Sequence, residues 1–236
     1  MLLFVPLIPL LFFFSFLFSF AQTGSTGIPP NESKTLGTIL PDVLLSDSEG
    51  NIFKLHALKG KPLILSLIYT HCASACPLIT KSLKETVTFF GEPGKDFNVL
   101  SLTFDPQDTL DDLREFKERY GLPKGWKVVL VKNRSDLFKL LDAIDFRFAT
   151  LPGRDFIHPN LIVFIDKKMV IKDYMYGVSF DRLEFMNALR IAKGQKTLPE
   201  NFRGHILIIG MIGLVTTMAF IVVKLTRKTY ERKTAA

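Results

Sequence analysis

The sequence predicts an α/β fold with an added N-terminal β-hairpin and a C-terminal transmembrane helix. Between residues 39 and 194, short apolar runs alternate with segments of helical period, which is typical of parallel strands joined by helices. The hairpin is indicated by two short apolar runs on either side of the turn-forming residues 47–51, "DSEGN". The transmembrane helix is predicted from the uncharged, apolar stretch over 206–223.

Both ends of the chain are more apolar than its middle. Hydrophobic residues make up 47% of the 236 residues, and residues 2–20 carry no charge. Because the small residues at Ser19–Ala21 suit a signal peptidase, we interpret residues 1–21 as a cleaved signal peptide, with an uncleaved N-terminal anchor as the alternative. Residues 22–35 are rich in Gly, Pro, Ser and Thr and are predicted to form a flexible lead-in.

The C-terminal stretch determines the predicted location. Residues 206–223 are long enough for a bilayer core, which needs roughly 17–25 residues. Residues 224–236 carry five Lys and Arg against Glu231, so the positive-inside rule predicts a basic cytoplasmic tail. The α/β domain at 36–194 and its linker at 195–205 would then lie on the periplasmic, extracytoplasmic side of the inner (cell) membrane in a single-pass protein. The net charge of +7 falls largely on the tail, which argues against a nucleic-acid partner.

The elements of the domain are predicted in order from their patterns. The apolar run 62–70, "PLILSLIYT", is typical of a buried central strand, and a helix follows it from near Cys76. Thr109 and Asp112 have the spacing of a capping box, which predicts a helix that begins there and ends at Gly121. The other predicted strands are 97–104, 126–131, 160–166 and 169–177, and the other predicted helices are 135–144 and 179–194.

Both cysteines of the chain, Cys72 and Cys76, follow the predicted central strand. Thiols at such a strand-to-helix turn are typical of thioredoxin-like folds. A structural disulfide is the alternative, since an extracytoplasmic compartment permits one. We favour a redox-active pair, because a bridge across so short a loop adds little stability. In addition, residues i and i+4 on a helix have Cβ atoms about 5–6 Å apart, more than a disulfide allows. A helix N-terminus near Cys72 would also lower the pKa of its thiol.

The same spacing suits a soft metal ion. Two thiolates can reach a shared ion without contact between their sulfurs, and two Cys with one His form a set that copper accepts. Among the four histidines, we favour His158 as a third ligand, because the loop before the strand at 160–166 faces the thiols in thioredoxin-like folds. His71 adjoins the first thiol and would tune it rather than bind the ion, and His56 and His205 have no such placement.

Three motifs carry a family resemblance. They are "YTHCASACP" at 69–77, "TFDPQDT" at 103–109, and His158 ahead of "LIVFID". With these motifs the chain resembles the Sco/SenC family of copper-binding, thioredoxin-like proteins over residues 36–192.

The resemblance implies a ligand set and a function. In that family both cysteines and the histidine bind copper as Cu(I) or Cu(II), and here these residues are Cys72, Cys76 and His158. The implied function is a metallochaperone that delivers copper to the dinuclear site of cytochrome c oxidase subunit II, or to another copper or thiol client. The alternatives are a thiol–disulfide oxidoreductase without stored metal, a peroxidase-like use of the thiols, and a binding module without catalysis. Whether the chain is an enzyme stays open at this point.

The chain departs from the family pattern in three respects. The family has a proline and an acidic residue where this chain has Ala73 and Ser74, so a negative charge beside the site is absent. Pro159 follows the predicted histidine ligand directly, and our hypothesis is a cis peptide bond there. The predicted anchor is C-terminal, whereas family members are commonly tethered at the N-terminus. Asp105 and Asp108 of "DPQDT" are interpreted chiefly as caps of the following helix. The alternative is a supporting role beside the site, since their loop follows a strand that should end near the cysteine turn.

Overall fold

A computed structural model of the chain describes residues 27–197, 208–221 and 223–224. Within residues 27–197 the strands, in chain order, are β1 Leu44–Asp47, β2 Ile52–Lys54, β3 Leu63–Ile68, β4 Asn98–Thr103, β5 Trp126–Val131, β6 Ala149–Leu151, β7 Asp155–Ile157, β8 Leu161–Ile165 and β9 Ile171–Tyr176. The helices of the same range are α1 Glu32–Thr35, α2 Ala75–Phe90, α3 Leu110–Arg119, α4 Arg134–Ala143 and α5 Arg182–Ala192, with a 3₁₀ turn at Leu55–Leu58.

The main sheet has the strand order β2-β1-β5-β4-β3-β8-β9, which confirms the predicted α/β class. Strands β3, β4 and β5 are parallel, whereas β8 runs antiparallel to β3 and to β9. Every residue of β3 is buried, as expected of a strand in the middle of a sheet covered on both faces. The predicted hairpin is present as β1 and β2 at one edge of the sheet.

The helices cover the sheet through aromatic and aliphatic side chains. The Phe90 ring of α2 stacks on the Phe185 ring of α5 at 5.4 Å between centroids, and Phe185 meets Phe164 of β8 edge-on at 5.1 Å. The capping box predicted for α3 is present, because Thr109 Oγ1 accepts from the Asp112 amide while the Asp112 carboxylate accepts from the Thr109 amide. These contacts fix the helices that follow β3 and β4, and hence the loops at the carboxyl ends of those strands.

A second, two-stranded sheet was not predicted from the sequence. Strands β6 and β7 pair antiparallel, with Ala149 opposite Ile157 and Leu151 opposite Asp155. This β6–β7 hairpin leads directly into His158 and then into β8. The hairpin therefore controls where His158 lies relative to the end of β3.

The predicted transmembrane helix is wrong. Residues 208–221 are helical, but no helix in the part of the chain that the structure describes is long and apolar enough to cross a membrane. The single-pass membrane anchor over 206–223 therefore has no support. The signal peptide predicted at 1–21 lies outside the described residues.

Part of the predicted lead-in packs on the domain. The short helix α1 follows Asn31, whose backbone amide donates to Asp145 Oδ2 at 2.8 Å. The Tyr176 hydroxyl of β9 donates to Glu32 Oε1 at 2.7 Å. Gly27 lies so close to the turn after β7 that a Cβ atom there would be 2.3 Å from the His158 carbonyl carbon. The lead-in thus touches the segment that carries the predicted histidine ligand.

Candidate functional site

The two thiols lie at the junction between the end of β3 and the first turn of α2. Cys72 precedes the helix, whereas Cys76 lies in its first turn. The Cys76 backbone amide donates to Cys72 Sγ at 3.3 Å, while Ser74, at the N-cap position, makes no side-chain cap hydrogen bond. The Cys72 sulfur therefore occupies the place of a capping oxygen, where free amides and the helix dipole stabilise negative charge. The predicted position of Cys72 at a helix N-terminus is confirmed.

The two thiols differ strongly in acidity. The pKa of Cys72 is lowered to about 2, first by a hydrogen bond from the Cys76 thiol and then by His158, Tyr69 and the Cys76 amide, in opposition to burial. The pKa of Cys76 is raised well above its ordinary value, because its thiol donates to Cys72 and because the side chain is buried. Both cysteines are free. Cys72 is therefore a thiolate at neutral pH, and Cys76 is the thiol that shares a proton with it.

His158 lies against the same sulfur. Its side chain is buried and hydrogen-bonds Cys72. His158 Nδ1 lies 3.1 Å from the Pro159 carbonyl oxygen, which can only accept a hydrogen bond, so Nδ1 is the donor in this contact. Such a carbonyl partner on one ring nitrogen is what orients a metal-binding imidazole. The structure thus brings together the three side chains predicted as ligands.

A metal site requires more than the proximity of these three side chains. In residues 27–197, 208–221 and 223–224, no three His, Cys, Asp or Glu side chains are placed as a group that could hold a metal ion. Metal ligation by Cys72, Cys76 and His158 therefore stays a prediction. The sulfurs and the imidazole are arranged here around shared protons, which a bound ion would have to replace.

A match to a family model covers this whole arrangement. The SCO1/SenC model matches residues 32–177, which include both thiols, the "DPQDT" loop and His158. The chain belongs to the SCO1/SenC family. No curated protein sequence matches the chain.

Solved structures extend the comparison. This SCO1/SenC protein is 60% identical to a candidate electron transfer protein from Aquifex aeolicus VF5, with a TM-score of 0.66 over 68% of this chain and 95% of that chain. It is 20% identical to copper-bound ScoI from Bradyrhizobium japonicum, with a TM-score of 0.56 over 67% and 99% of the two chains. It is 13% identical to the peroxidoxin BcpB from Mycobacterium tuberculosis, with a TM-score of 0.51 over 69% of this chain and 99% of that chain. The last two likenesses concern the fold alone and confirm the predicted thioredoxin-like α/β architecture.

A buried carboxylate ties the thiol loop of this SCO1/SenC protein to its neighbours. Asp108 accepts hydrogen bonds from the Thr70 amide at 3.0 Å, the Thr70 hydroxyl at 2.6 Å and the Thr103 hydroxyl at 2.5 Å. Arg154, from the turn of the β6–β7 hairpin, lies 3.2 Å from Asp108 and 2.7 Å from Asp105. The interpretation of both aspartates as helix caps is wrong, because the N-cap of α3 is Thr109. They connect the loops that carry the thiols and His158.

Two further residues shape the site, and sequence reasoning missed both. The Tyr69 hydroxyl lies between the Asp155 carboxylate and Cys72, and burial together with the Asp155 hydrogen bond raises the pKa of Tyr69 well above its usual value. Arg154 was not recognised either, since "PGRD" reads as an ordinary turn. Only the position of Tyr69 within the thiol motif could have indicated its role.

The remaining predictions about the site have mixed outcomes. His71 does not join the thiols: its Nδ1 lies 3.4 Å from Asp108 and 3.0 Å from the Thr70 hydroxyl. His56 contacts the Leu40 carbonyl oxygen at 2.8 Å, in keeping with a packing role. His205 lies outside the described residues. The hypothesis of a cis bond before Pro159 is wrong, because no peptide bond in the described part of the chain is cis.

Proposed function

We propose that this SCO1/SenC protein is a copper chaperone, which carries one copper ion on Cys72, Cys76 and His158. The observation that supports the proposal best is the convergence of the Cys76 thiol and the His158 imidazole on the buried Cys72 thiolate. Sco proteins take part in the assembly of cytochrome c oxidase. The client that we propose is therefore the dinuclear copper site of oxidase subunit II.

The donor set fits copper as cargo. Thiolate and imidazole are ligands that Cu(I) prefers, and three of them leave room for a ligand from a recipient. Copper would take the place of the proton that Cys76 shares with Cys72. Because the loop has Ala73 and Ser74, it adds no carboxylate that would offset the extra charge of Cu(II). We therefore propose Cu(I) as the main cargo.

Copper titration of the reduced, full-length chain tests the proposal. We expect one copper per chain in the presence of a competing chelator, and loss of that copper in Cys72→Ser and Cys76→Ser. His158→Ala should weaken affinity by at least about tenfold, since even the loss of a group that only supports a metal ligand typically costs about 10–100-fold. Unchanged affinity in His158→Ala would show that the histidine is no ligand.

A thiol–disulfide oxidoreductase is the second candidate, favoured by the unequal acidity of the two thiols. The Cys72 thiolate would attack a client disulfide and form a mixed disulfide, and Cys76 would then displace the client as a free dithiol. The chain would end with a Cys72–Cys76 disulfide. If the His158→Ala variant still reduces a client disulfide in a single turnover, that result would favour this candidate. The likeness to a peroxidoxin concerns the fold and supports no peroxidase function.

The proposed activity requires a compartment where the client's copper site is exposed. We place the chain outside the cytoplasm, as the predicted signal peptide at 1–21 implies. N-terminal sequencing of the protein from its native host tests this placement: a mature chain that begins at Gln22 is the expected result, and a chain that retains Met1 would contradict cleavage.

A further inference from the structure

A groove of about 1100 Å³ is lined by aromatic side chains that pack on His158 and on Tyr69. It is bounded by α4, the β6–β7 hairpin and the loop after β4. We call it the aromatic groove, because four phenylalanine rings dominate its apolar lining: Phe138, Phe146, Phe148 and Phe156. Pockets for small molecules usually measure about 300–1,000 Å³, so the groove is large enough for a segment of polypeptide.

The floor of the aromatic groove leads to the thiol–histidine site. The Phe146 ring lies 5.9 Å from the His158 ring, and the Phe156 ring lies 4.9 Å from the Tyr69 ring. A segment in the groove would thus be separated from His158 by the thickness of one aromatic side chain. Copper transfer requires that ligands of the recipient come within bonding distance of the ion, so a docking surface for the recipient has to adjoin the site.

Basic groups outnumber acidic groups around the aromatic groove. The basic lining residues are Arg134, Lys139, Arg147 and Arg154, and the acidic ones are Asp105 and Asp142. Most of the basic groups already have carboxylate partners. Arg134 differs from them, because no carboxylate in the described part of the chain lies within ion-pair distance of it. Its guanidinium instead lies 5.7 Å from the ring of Phe138, which is itself 43% exposed.

We propose that the aromatic groove docks an extended segment of the copper recipient that carries an acidic side chain next to an aromatic one. The inference rests on the proposed chaperone function and names the chemistry of its partner. The acidic side chain pairs with Arg134, the cation without a carboxylate. The aromatic side chain packs on Phe138 and the rings behind it, where Arg and aromatic residues typically dominate binding.

Binding of two short synthetic peptides to the reduced, copper-free, full-length chain tests the proposal. The first peptide holds two glutamates and a phenylalanine, and the second has lysines in place of the glutamates. Neither contains cysteine, so that no thiol exchange takes place. We expect binding of the acidic peptide only, with weaker binding at higher salt because the contact is between exposed charges.

Matched variants locate the contact. Arg134→Glu and Phe138→Ser each change an exposed side chain, and each should weaken binding of the acidic peptide by about tenfold, the usual effect of an interface hot spot. Arg182→Glu is the control, because Arg182 also lies over an exposed ring, 4.6 Å from that of Phe89, but outside the groove. It should change binding by less than about twofold.

Copper stoichiometry, measured on the same variants, separates the two proposals. Arg134→Glu should still bind one copper per chain, because Arg134 touches neither thiol nor His158. A wild-type chain that binds no copper would overturn the chaperone function, whatever the peptides do. Equal binding of both peptides, or of the acidic peptide to wild type and Arg134→Glu, would overturn the docking proposal while leaving copper binding intact.

Discussion

At the scale of single residues, the carboxylate of Asp108 joins segments that are far apart in the chain. It holds Thr70 of the thiol loop and Thr103 at the end of β4, and it pairs with Arg154 of the β6–β7 hairpin. The carboxylate is fully buried, so each of these contacts replaces one with water. A change at Asp108 should therefore affect both stability and the relative position of the thiols and His158.

Asp108→Asn tests this role. An amide keeps one acceptor oxygen and places a donor against Thr70 or Thr103, so a buried hydrogen bond is lost. We expect the free energy of unfolding to fall by about 1–3 kcal/mol, measured by denaturant titration, with weaker copper binding as well. Asp111→Asn is the control, because the Asp111 side chain is 86% exposed and its ion-pair partner among the described residues is the exposed Arg114. Equal stability of the two variants would contradict a structural role for Asp108.

The acidity of Cys72 gives a prediction about pH. The pKa of Cys72 is lowered from 9.0 to about 2 in the folded chain. Ionisation of Cys72 therefore stabilises the folded state at pH values above the unfolded-state pKa of this thiol, and this stabilisation is lost as the pH falls through about 2. We expect the ultraviolet absorbance of one thiolate in the reduced, metal-free chain to persist down to at least about pH 5. Loss of that absorbance near the pKa of an ordinary thiol, about 8.5, would refute the assignment.

The variant Cys76→Ala tests the cause of that acidity. The thiol of Cys76 contributes most to the low pKa of Cys72, and alanine removes it while the Cys76 backbone amide remains. The pKa of Cys72 should therefore rise, so that its thiolate absorbance disappears at a higher pH than in the wild-type chain. Ser74→Ala is the control, since the Ser74 hydroxyl is only a distant neighbour of the sulfur at 3.9 Å. A larger effect of the Ser74 change would contradict the proton sharing.

At the scale of elements, the β6–β7 hairpin holds His158 in place through one arginine. Arg154 lies at the hairpin turn with φ of +62°, and its guanidinium reaches Asp105 and Asp108 beneath the thiol loop. Arg154→Ala removes both contacts. We expect faster hydrogen exchange over 149–157 with unchanged exchange in β3, and faster release of copper. In Arg154→Lys, the rates of hydrogen exchange and of copper release should lie between those of the wild-type chain and of Arg154→Ala, because a lysine keeps the charge but lacks the planar guanidinium. Unchanged exchange in Arg154→Ala would show that the hairpin is held by its other contacts, which include the Tyr69–Asp155 hydrogen bond and aromatic packing.

Most elements of the domain could be predicted from the sequence because their patterns are local. The run at 62–70 is almost entirely apolar, and α3 begins with a capping box that the structure confirms. The β6–β7 hairpin could not be predicted, since its strands have three residues each and "LPGRD" carries only a turn signal. The argument from helical spacing against a disulfide was also misapplied, because Cys72 lies outside the helix that contains Cys76.

The site was predictable to the extent that it follows from the fold. His158 could be placed near the thiols because the turn before β8 faces the end of β3 in thioredoxin-like proteins. The ties that fix this approach could not be predicted, because Arg154 and Asp108 lie 46 positions apart and pair only in the folded chain. The transmembrane prediction rested on composition alone, and no helix among the described residues is long and apolar enough to cross a membrane.

At the scale of the whole molecule, the lead-in and the histidine turn are packed against each other. A Cβ atom on Gly27 would lie 2.3 Å from both the His158 carbonyl carbon and the Pro159 nitrogen, closer than real Cβ contacts allow. Because these are backbone atoms, they cannot rotate away. Either the lead-in has to detach or the His158–Pro159 peptide has to move, and both outcomes loosen the side of the site opposite the thiols.

Gly27→Ala therefore connects the lead-in to copper binding. We expect faster proteolytic cleavage within residues 27–35 together with a severalfold loss of copper affinity in the full-length chain, because the support behind the His158 imidazole is weakened. Gly210→Ala is the matched control, since a Cβ atom at Gly210 meets nothing within 4 Å and the residue lies in a helix. Faster cleavage with unchanged affinity would mean that the lead-in covers His158 without positioning it. Wild-type behaviour in both measurements would mean that the close approach of Gly27 is not maintained in solution.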